Sequence, residues 1–219
     1  MTAARRRWFD TVAAFDPPEQ VAGDVFADLA SRYADERRHY HTLEHVEEVL
    51  DWVDRLDDHA RDTAAVRLAA WAHDVVYDPQ AAGNEAASAE WARATLPRLG
   101  VPTGTVEEVA RLVEMTSGHE PPAGDRDGEV LADADLAILG ADSERYRRYV
   151  RDVRLEYAWL GDDRWRSGRV AVLTDLAGRD VLYRTATARS LLDARARANL
   201  AWELDVLAGG GTPPQPGRP

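Results

Sequence analysis

The amino-acid sequence predicts an all-α fold, a single helical bundle, and three observations carry that expectation. Apolar residues recur at i, i+3 and i+4 spacing along the whole chain, the period of a helix with one buried face. Alternating apolar and polar stretches, the mark of a half-buried strand, are missing. At 219 residues the chain suits one large helical domain and can bury about 70% of its unfolded surface.

The periodicity places helices over roughly 3–15, 19–34, 43–57, 62–76, 85–97, 105–116, 127–138, 143–160, 164–178 and 186–207. Pro17-Pro18 stops the first and starts the second, because proline fits a first turn and not a helix interior. Gly100 follows Leu99 as a stop, Thr105 with Glu108 forms a capping box, and Ser143 occupies an N-cap position. Loops are expected over 78–84 and 118–125, where proline and glycine forbid helix. No internal repeat and no domain boundary are visible, so residues 1–207 read as one domain. The Gly/Pro-rich tail 208–219 has no packing residues and is expected to be disordered. Leu191, Leu192, Leu200, Trp202 and Leu204 of the last helix either close the core or pair two chains as a homodimer, and the core is the simpler reading.

Composition narrows the chemistry. The sequence has no cysteine, which removes disulfides, thiolate nucleophiles and cysteine-ligated zinc. It also has no lysine, so all 27 basic residues are arginine and neither Schiff-base chemistry nor a P-loop lysine is open to it. A metal here must use imidazole and carboxylate ligands. The net charge of −12 is spread along the chain and argues against duplex nucleic acid as a partner, while a small anion remains compatible with a local arginine cluster. The apolar runs are too short to span a membrane, and acidic residues interrupt the segment after Arg5-Arg6-Arg7, so no signal peptide is expected and the protein reads as cytoplasmic.

Three segments place polar residues on apolar helix faces. His41 and His45 are four residues apart, and His45 lies about 40° around the axis from Val49, at the edge of the stripe Val46, Val49, Leu50 and Val53. The stripe Val66, Ala69, Ala70 of the next helix continues into His73, with Asp74 beside it. A carboxylate so close to a core face is costly unless it is paired or bound to a cation, and a divalent metal would compensate both residues at once. Taken alone, either histidine reads more simply as a hydrogen-bonded core residue, with Asp74 at the helix surface. Asp133 and Asp135 repeat the anomaly among Leu131, Leu136, Ile138 and Leu139; one partner could be an arginine and the other a metal.

The order His45, His73-Asp74, Asp135 resembles the H…HD…D signature of the HD superfamily of metal-dependent phosphohydrolases. Tyr40-His-Thr-Leu-Glu-His45 is similar to the tyrosine-histidine-x-x-x-histidine segment of cyclic-nucleotide phosphodiesterases. Over about residues 20–185 the chain resembles a bacterial branch of predicted HD phosphohydrolases. That branch shares Arg-x-Tyr-His-x-x-x-His, His-Asp-Val-Val-Tyr-Asp, Asn-Glu-x-x-Ser-Ala and Asp-Ala-Asp-Leu-x-Ile-Leu-Gly. These stand here at 38–45, 73–78, 84–89 and 133–140.

The resemblance implies an HD-type helical bundle and metal ligands His45, His73, Asp74 and Asp135, with Asp135 chosen over Asp133. It implies one divalent ion per chain, or two if Asp74 bridges them, drawn from Mn, Mg, Zn, Fe, Co or Ni. His41 becomes the general acid, since an imidazole can protonate a leaving alkoxide near neutral pH. Some members orient the attacking water with a glutamate three residues after the HD aspartate. Tyr77 stands there in this chain, and Glu85 is the substitute. Arg38 is the first choice for phosphate oxygens, with Arg154, His119 and, more weakly, Arg169 behind it. The expected activity is metal-assisted hydrolysis of a nucleotide or other small phosphate ester. Its rivals are a metal-containing regulatory or ligand-binding module without catalysis, and a di-iron oxygenase, which extra histidine ligands such as His119 would favour.

Overall fold

The computed structural model describes residues 2–209, whose regular elements are all helices, with no strand among them. The expected tail lies outside the described residues from position 210 onward. The chain divides into two compact units between Ala134 and Asp135. No composition change marks the division. It falls near the end of a helix, inside the apolar run Leu131–Gly140, where the sequence shows neither linker nor proline.

The first unit holds α1 (Ala3–Val12), α2 (Glu19–Tyr33), α3 (Leu43–Arg55), α4 (Thr63–Ala72), α5 (Asn84–Thr95) and α6 (Thr103–Met115). It also holds all of α7 (Arg126–Asp135) but its last residue. α4 is the hub. Seven of its residues, Ala65, Val66 and Leu68 to Ala72, are buried, and it packs against α1, α3, α5 and α6. A short helix apolar but for Thr63 and Arg67 belongs in the interior, with Arg67 reaching out to Asp54.

Trp71 fixes α4 to its neighbours. Its ring meets Trp8 edge-on at 5.5 Å and Phe26 at 6.4 Å, and its Nε1 donates to Thr11 Oγ1 at 3.1 Å. Tyr33 of α2 donates to the Trp71 carbonyl at 3.0 Å. The Trp71 indole and the Tyr33 phenol thus each have a partner for their polar atom.

Several helix ends differ from the sequence expectation for local reasons. α6 begins at Thr103, because Pro102, with φ −61°, already sets the helical entry; the Thr105–Glu108 box is not used, and Glu108 pairs with Arg111 instead. Asp142, not Ser143, caps the helix α8 by accepting from the amides of Glu144 and Arg145. Gly100 does act as a stop: it sits at φ 78°, a left-handed conformation that glycine adopts without strain. α4 ends four residues early, at Ala72. That end places His73 at the helix C-cap and Asp74 in the turn beyond it.

The second unit contains a 3-10 turn over Leu136–Gly140, then α8 (Ser143–Glu156), α9 (Asp162–Gly178) and α10 (Ala186–Ala208). α10 satisfies the carbonyls of the turn. Asn199 Nδ2 donates to Leu139 and Ala141 at 2.8 and 3.0 Å, and Arg195 Nε donates to Gly140 at 2.8 Å. Tyr183 donates to the Leu136 carbonyl at 3.0 Å. Leu192 and Leu200 are buried in this unit, as the core reading of the last helix expects, whereas Leu191 is exposed.

The turn lies so close to α10 that a Cβ at Gly140 would stand 2.6 Å from Leu192 Cβ and 2.9 Å from its Cα. Gly140→Ala is expected to cost about 1–3 kcal/mol through overpacking, measured by urea unfolding. Leu192→Ala would remove the obstructing Cδ2, at 2.8 Å, but not Cβ and Cα, so adding it should not restore stability. Recovery in that double variant would refute the packing account.

Candidate metal centre

The site starts from the end of α4. His73 is 1% exposed, and its Nδ1 lies 2.9 Å from the Ala70 carbonyl one turn back. A carbonyl only accepts, so Nδ1 carries the proton and Nε2 is left to face the interior of the site. A histidine oriented in this way by the hydrogen bond of its other nitrogen is the usual arrangement of an imidazole ligand.

His45 reaches the same point from the first turn of α3. It is buried, and its Nε2 is 3.2 Å from His73 Nε2. Asp74 Oδ2 lies 3.1 Å from His73 Nε2 and 3.7 Å from His45 Nε2. Asp135, the last residue of α7, completes the set: ligand atoms of His45, His73 and Asp135 all lie within 4.8 Å of one another. This group of three could hold a metal ion. Asp133 is buried earlier on α7 and is not a member of it.

The donors fit a divalent ion. Metal–nitrogen bonds of about 2.1 Å put neighbouring donors of an octahedron or tetrahedron about 3.0–3.4 Å apart, the range in which the two imidazole nitrogens and the nearer carboxylate contact fall. The electrostatics agree. His73 Nε2 and Asp74 Oδ2 are both lone-pair atoms once Nδ1 holds the proton, so their close approach requires a shared proton or a cation between them.

The loop after His73-Asp74 is held by groups to which the sequence assigns no such role. Asn84 clamps Asp78, accepting from its amide at 3.0 Å and donating to its carbonyl at 3.0 Å. Ser88, fully buried on α5, accepts from the Val76 amide at 3.0 Å and donates to the Val76 carbonyl at 3.2 Å. These two contacts give the Asn-Glu-x-x-Ser segment its physical role, which is to pin the loop that follows the His-Asp pair. The signal was present as spacing; its target was not.

The other nominated residues are placed as follows. His41 is half-buried, stacked on the Tyr77 ring with centroids 4.2 Å apart, and its ring centroid is 5.9 Å from that of His45. The Tyr40 ring lies against both imidazoles, 4.7 Å from that of His45 and 4.9 Å from that of His41. Glu85 stands half-buried in the first turn of α5 and enters none of the contacts described here. His119 follows α6 with φ 51° and is not a member of the ligand group.

Arg38, the first choice for phosphate, is buried and donates to three main-chain carbonyls, those of His41, Asp74 and Val75. Arg154 likewise closes its own turn in the second unit, donating to the carbonyls of Tyr157 and Leu160 and to Asp162. Arg169 pairs with Glu203. Among the described residues no helix is long and apolar enough to cross a membrane. Comparison with protein-family models, with curated proteins and with solved structures finds no match to this chain.

Proposed function

We propose that the protein is a metal-dependent phosphohydrolase of the HD type, cleaving a phosphate ester of a nucleotide or another small phosphorylated metabolite. The observation that carries this reading is the convergence of His45, His73 and Asp135 on one point, with the half-buried His41 beside it. With Asp74, these residues would hold a divalent ion, and imidazole with carboxylate suits Mn, Mg, Zn, Fe, Co or Ni. Bound there, the ion supplies Lewis acidity and charge neutralisation, and it brings the pKa of water toward neutrality.

The chain's own side chains do the rest. Stacking on Tyr77 fixes the plane of the His41 ring, and that imidazole delivers a proton to the departing oxygen. Asp74, nearer the histidine pair than Glu85 by its contacts, is the carboxylate at hand to orient water. One observation favours a second reading, a metal-containing regulatory module without hydrolysis: Arg38 and Arg154 are both committed to carbonyls rather than left for phosphate.

The test is turnover by Mn²⁺-loaded protein on phosphate mono- and diesters, nucleotides included. Hydrolysis should fall by about 10²–10⁴-fold in His41→Ala while the bound metal is retained. Undiminished turnover in that variant would remove His41 from the mechanism. Full metal occupancy without hydrolysis of any ester would favour the regulatory module.

A further inference from the structure

Arg38 is a buried cation that no carboxylate pairs among the described residues, and such a charge is costly unless its surroundings are organised around it. Here they are. Nη1 donates to the Asp74 carbonyl at 2.6 Å and the His41 carbonyl at 3.1 Å, and Nη2 donates to the Val75 carbonyl at 3.2 Å. The guanidinium carbon lies 4.9 Å from the centre of the Tyr33 ring and 5.4 Å from that of Tyr77. Carbonyls just past a helix C-terminus carry partial negative charge, and the faces of tyrosine rings attract cations, so both kinds of neighbour compensate the buried charge.

The contacts join parts of the chain that must agree for the site to exist. One carbonyl belongs to Asp74 and one to the next residue of the turn after α4. The third belongs to His41, four residues before the ligand His45. Tyr77, against the guanidinium, also carries the stacked His41 ring. We propose that Arg38 is a positioning residue: its planar fork locks the turn bearing His73-Asp74 to the segment bearing His41 and His45, and so sets the geometry of the metal ligands. A lysine ammonium, a single point charge on a flexible stem, cannot reproduce a planar fork over three carbonyls. This inference rests on the metal reading above. It reassigns the residue that the sequence nominates for phosphate.

The experiment is calorimetric titration with Mn²⁺, and with Zn²⁺ in parallel, of wild type, Arg38→Met, Arg38→Lys and Thr11→Ala. Thr11→Ala is the stability control, since it removes the partner of Trp71 Nε1 and touches no ligand. Loss of a group that orients ligands typically weakens metal binding by about 10–100-fold. The expected result is a weakening of that size in Arg38→Met, a smaller one in Arg38→Lys, and none in Thr11→Ala.

Metal affinity within twofold of wild type in folded Arg38→Met overturns the proposal, as does an equal loss in Thr11→Ala. If the Met variant does not fold, the Lys variant decides on the same criterion: tenfold weakening supports the proposal and wild-type affinity overturns it. A wild-type protein that gives no isotherm with any divalent ion overturns the metal reading itself, and the role of Arg38 with it. That outcome is distinct, because it appears before any variant is compared.

Discussion

His73→Ala is expected to lose its metal and its turnover together. The wild-type protein should hold at least one divalent ion per chain, and the variant almost none, by elemental analysis of untagged protein. His73 contributes a nitrogen whose orientation is fixed by the Ala70 carbonyl, and Nε2 of His73 faces both His45 and Asp74. Removing it opens a gap between His45 and Asp74 that neither can close, because His45 is held by α3 and Asp74 by the turn that Arg38 grips. A metal's stabilisation of developing charge is worth several kcal/mol, so turnover should fall by about a thousandfold or more. Asp74→Ala tests the same centre from the carboxylate side and should also reduce metal content. Metal retained at wild-type level in both variants would move the ion elsewhere or abolish the site. Chelation of wild-type protein should reproduce the loss of turnover, and adding back the divalent ion should restore it.

The second large effect is on stability and lies in the second unit. Glu203 is 1% exposed, and its two oxygens take Arg169 Nε and Nη2 at 2.7 and 3.0 Å. Tyr146 donates to the same carboxylate at 2.6 Å. Burial, and then the Glu203 charge, pushes the Tyr146 phenol far above its ordinary pKa, so it remains a donor. Arg169 also donates to Tyr149 at 3.2 Å, and that ring is itself buried. Glu203→Leu leaves a guanidinium and a phenol stranded in the interior. Breaking a buried pair from one side costs about 3–5 kcal/mol, which urea unfolding would read directly. Replacing the set together, as Tyr146→Phe, Arg169→Met and Glu203→Leu, should recover most of that loss, because no buried polar group of the pair is then left alone. A triple variant no more stable than Glu203→Leu would show that packing, not the unpaired charge, sets the cost.

The chain displays its helices in its periodicity, and most of them stand within a few residues of where that periodicity places them. The convergence of His45, His73 and Asp135 was partly legible too. His73 lies on the face of Val66, Ala69 and Ala70, and an apolar stripe that ends in an imidazole beside a carboxylate is an anomaly any reader can find. What periodicity cannot supply is the point where a helix stops for a tertiary reason. α4 has apolar residues through Val76, yet its helix ends at Ala72, and Arg38 takes carbonyls from the turn that follows. The donor of those bonds lies 36 residues away from Asp74, beyond the reach of any local pattern.

The arginines carry the same lesson. In sequence, Arg38 beside a histidine pair and Arg154 on a polar face both look free for phosphate, because a guanidinium shows its charge in sequence and hides its acceptors. Folding supplied the acceptors, and both side chains face main-chain carbonyls. The division between Ala134 and Asp135 belongs to this class as well, since it depends on which helices gather around which core and leaves no mark in composition. The sequence alone thus determined the all-helical class and the residue types able to bind a metal, since both follow from side-chain chemistry at local spacing. The tertiary structure alone decided where α4 ends and what Arg38 holds, since those depend on contacts between segments far apart in the chain.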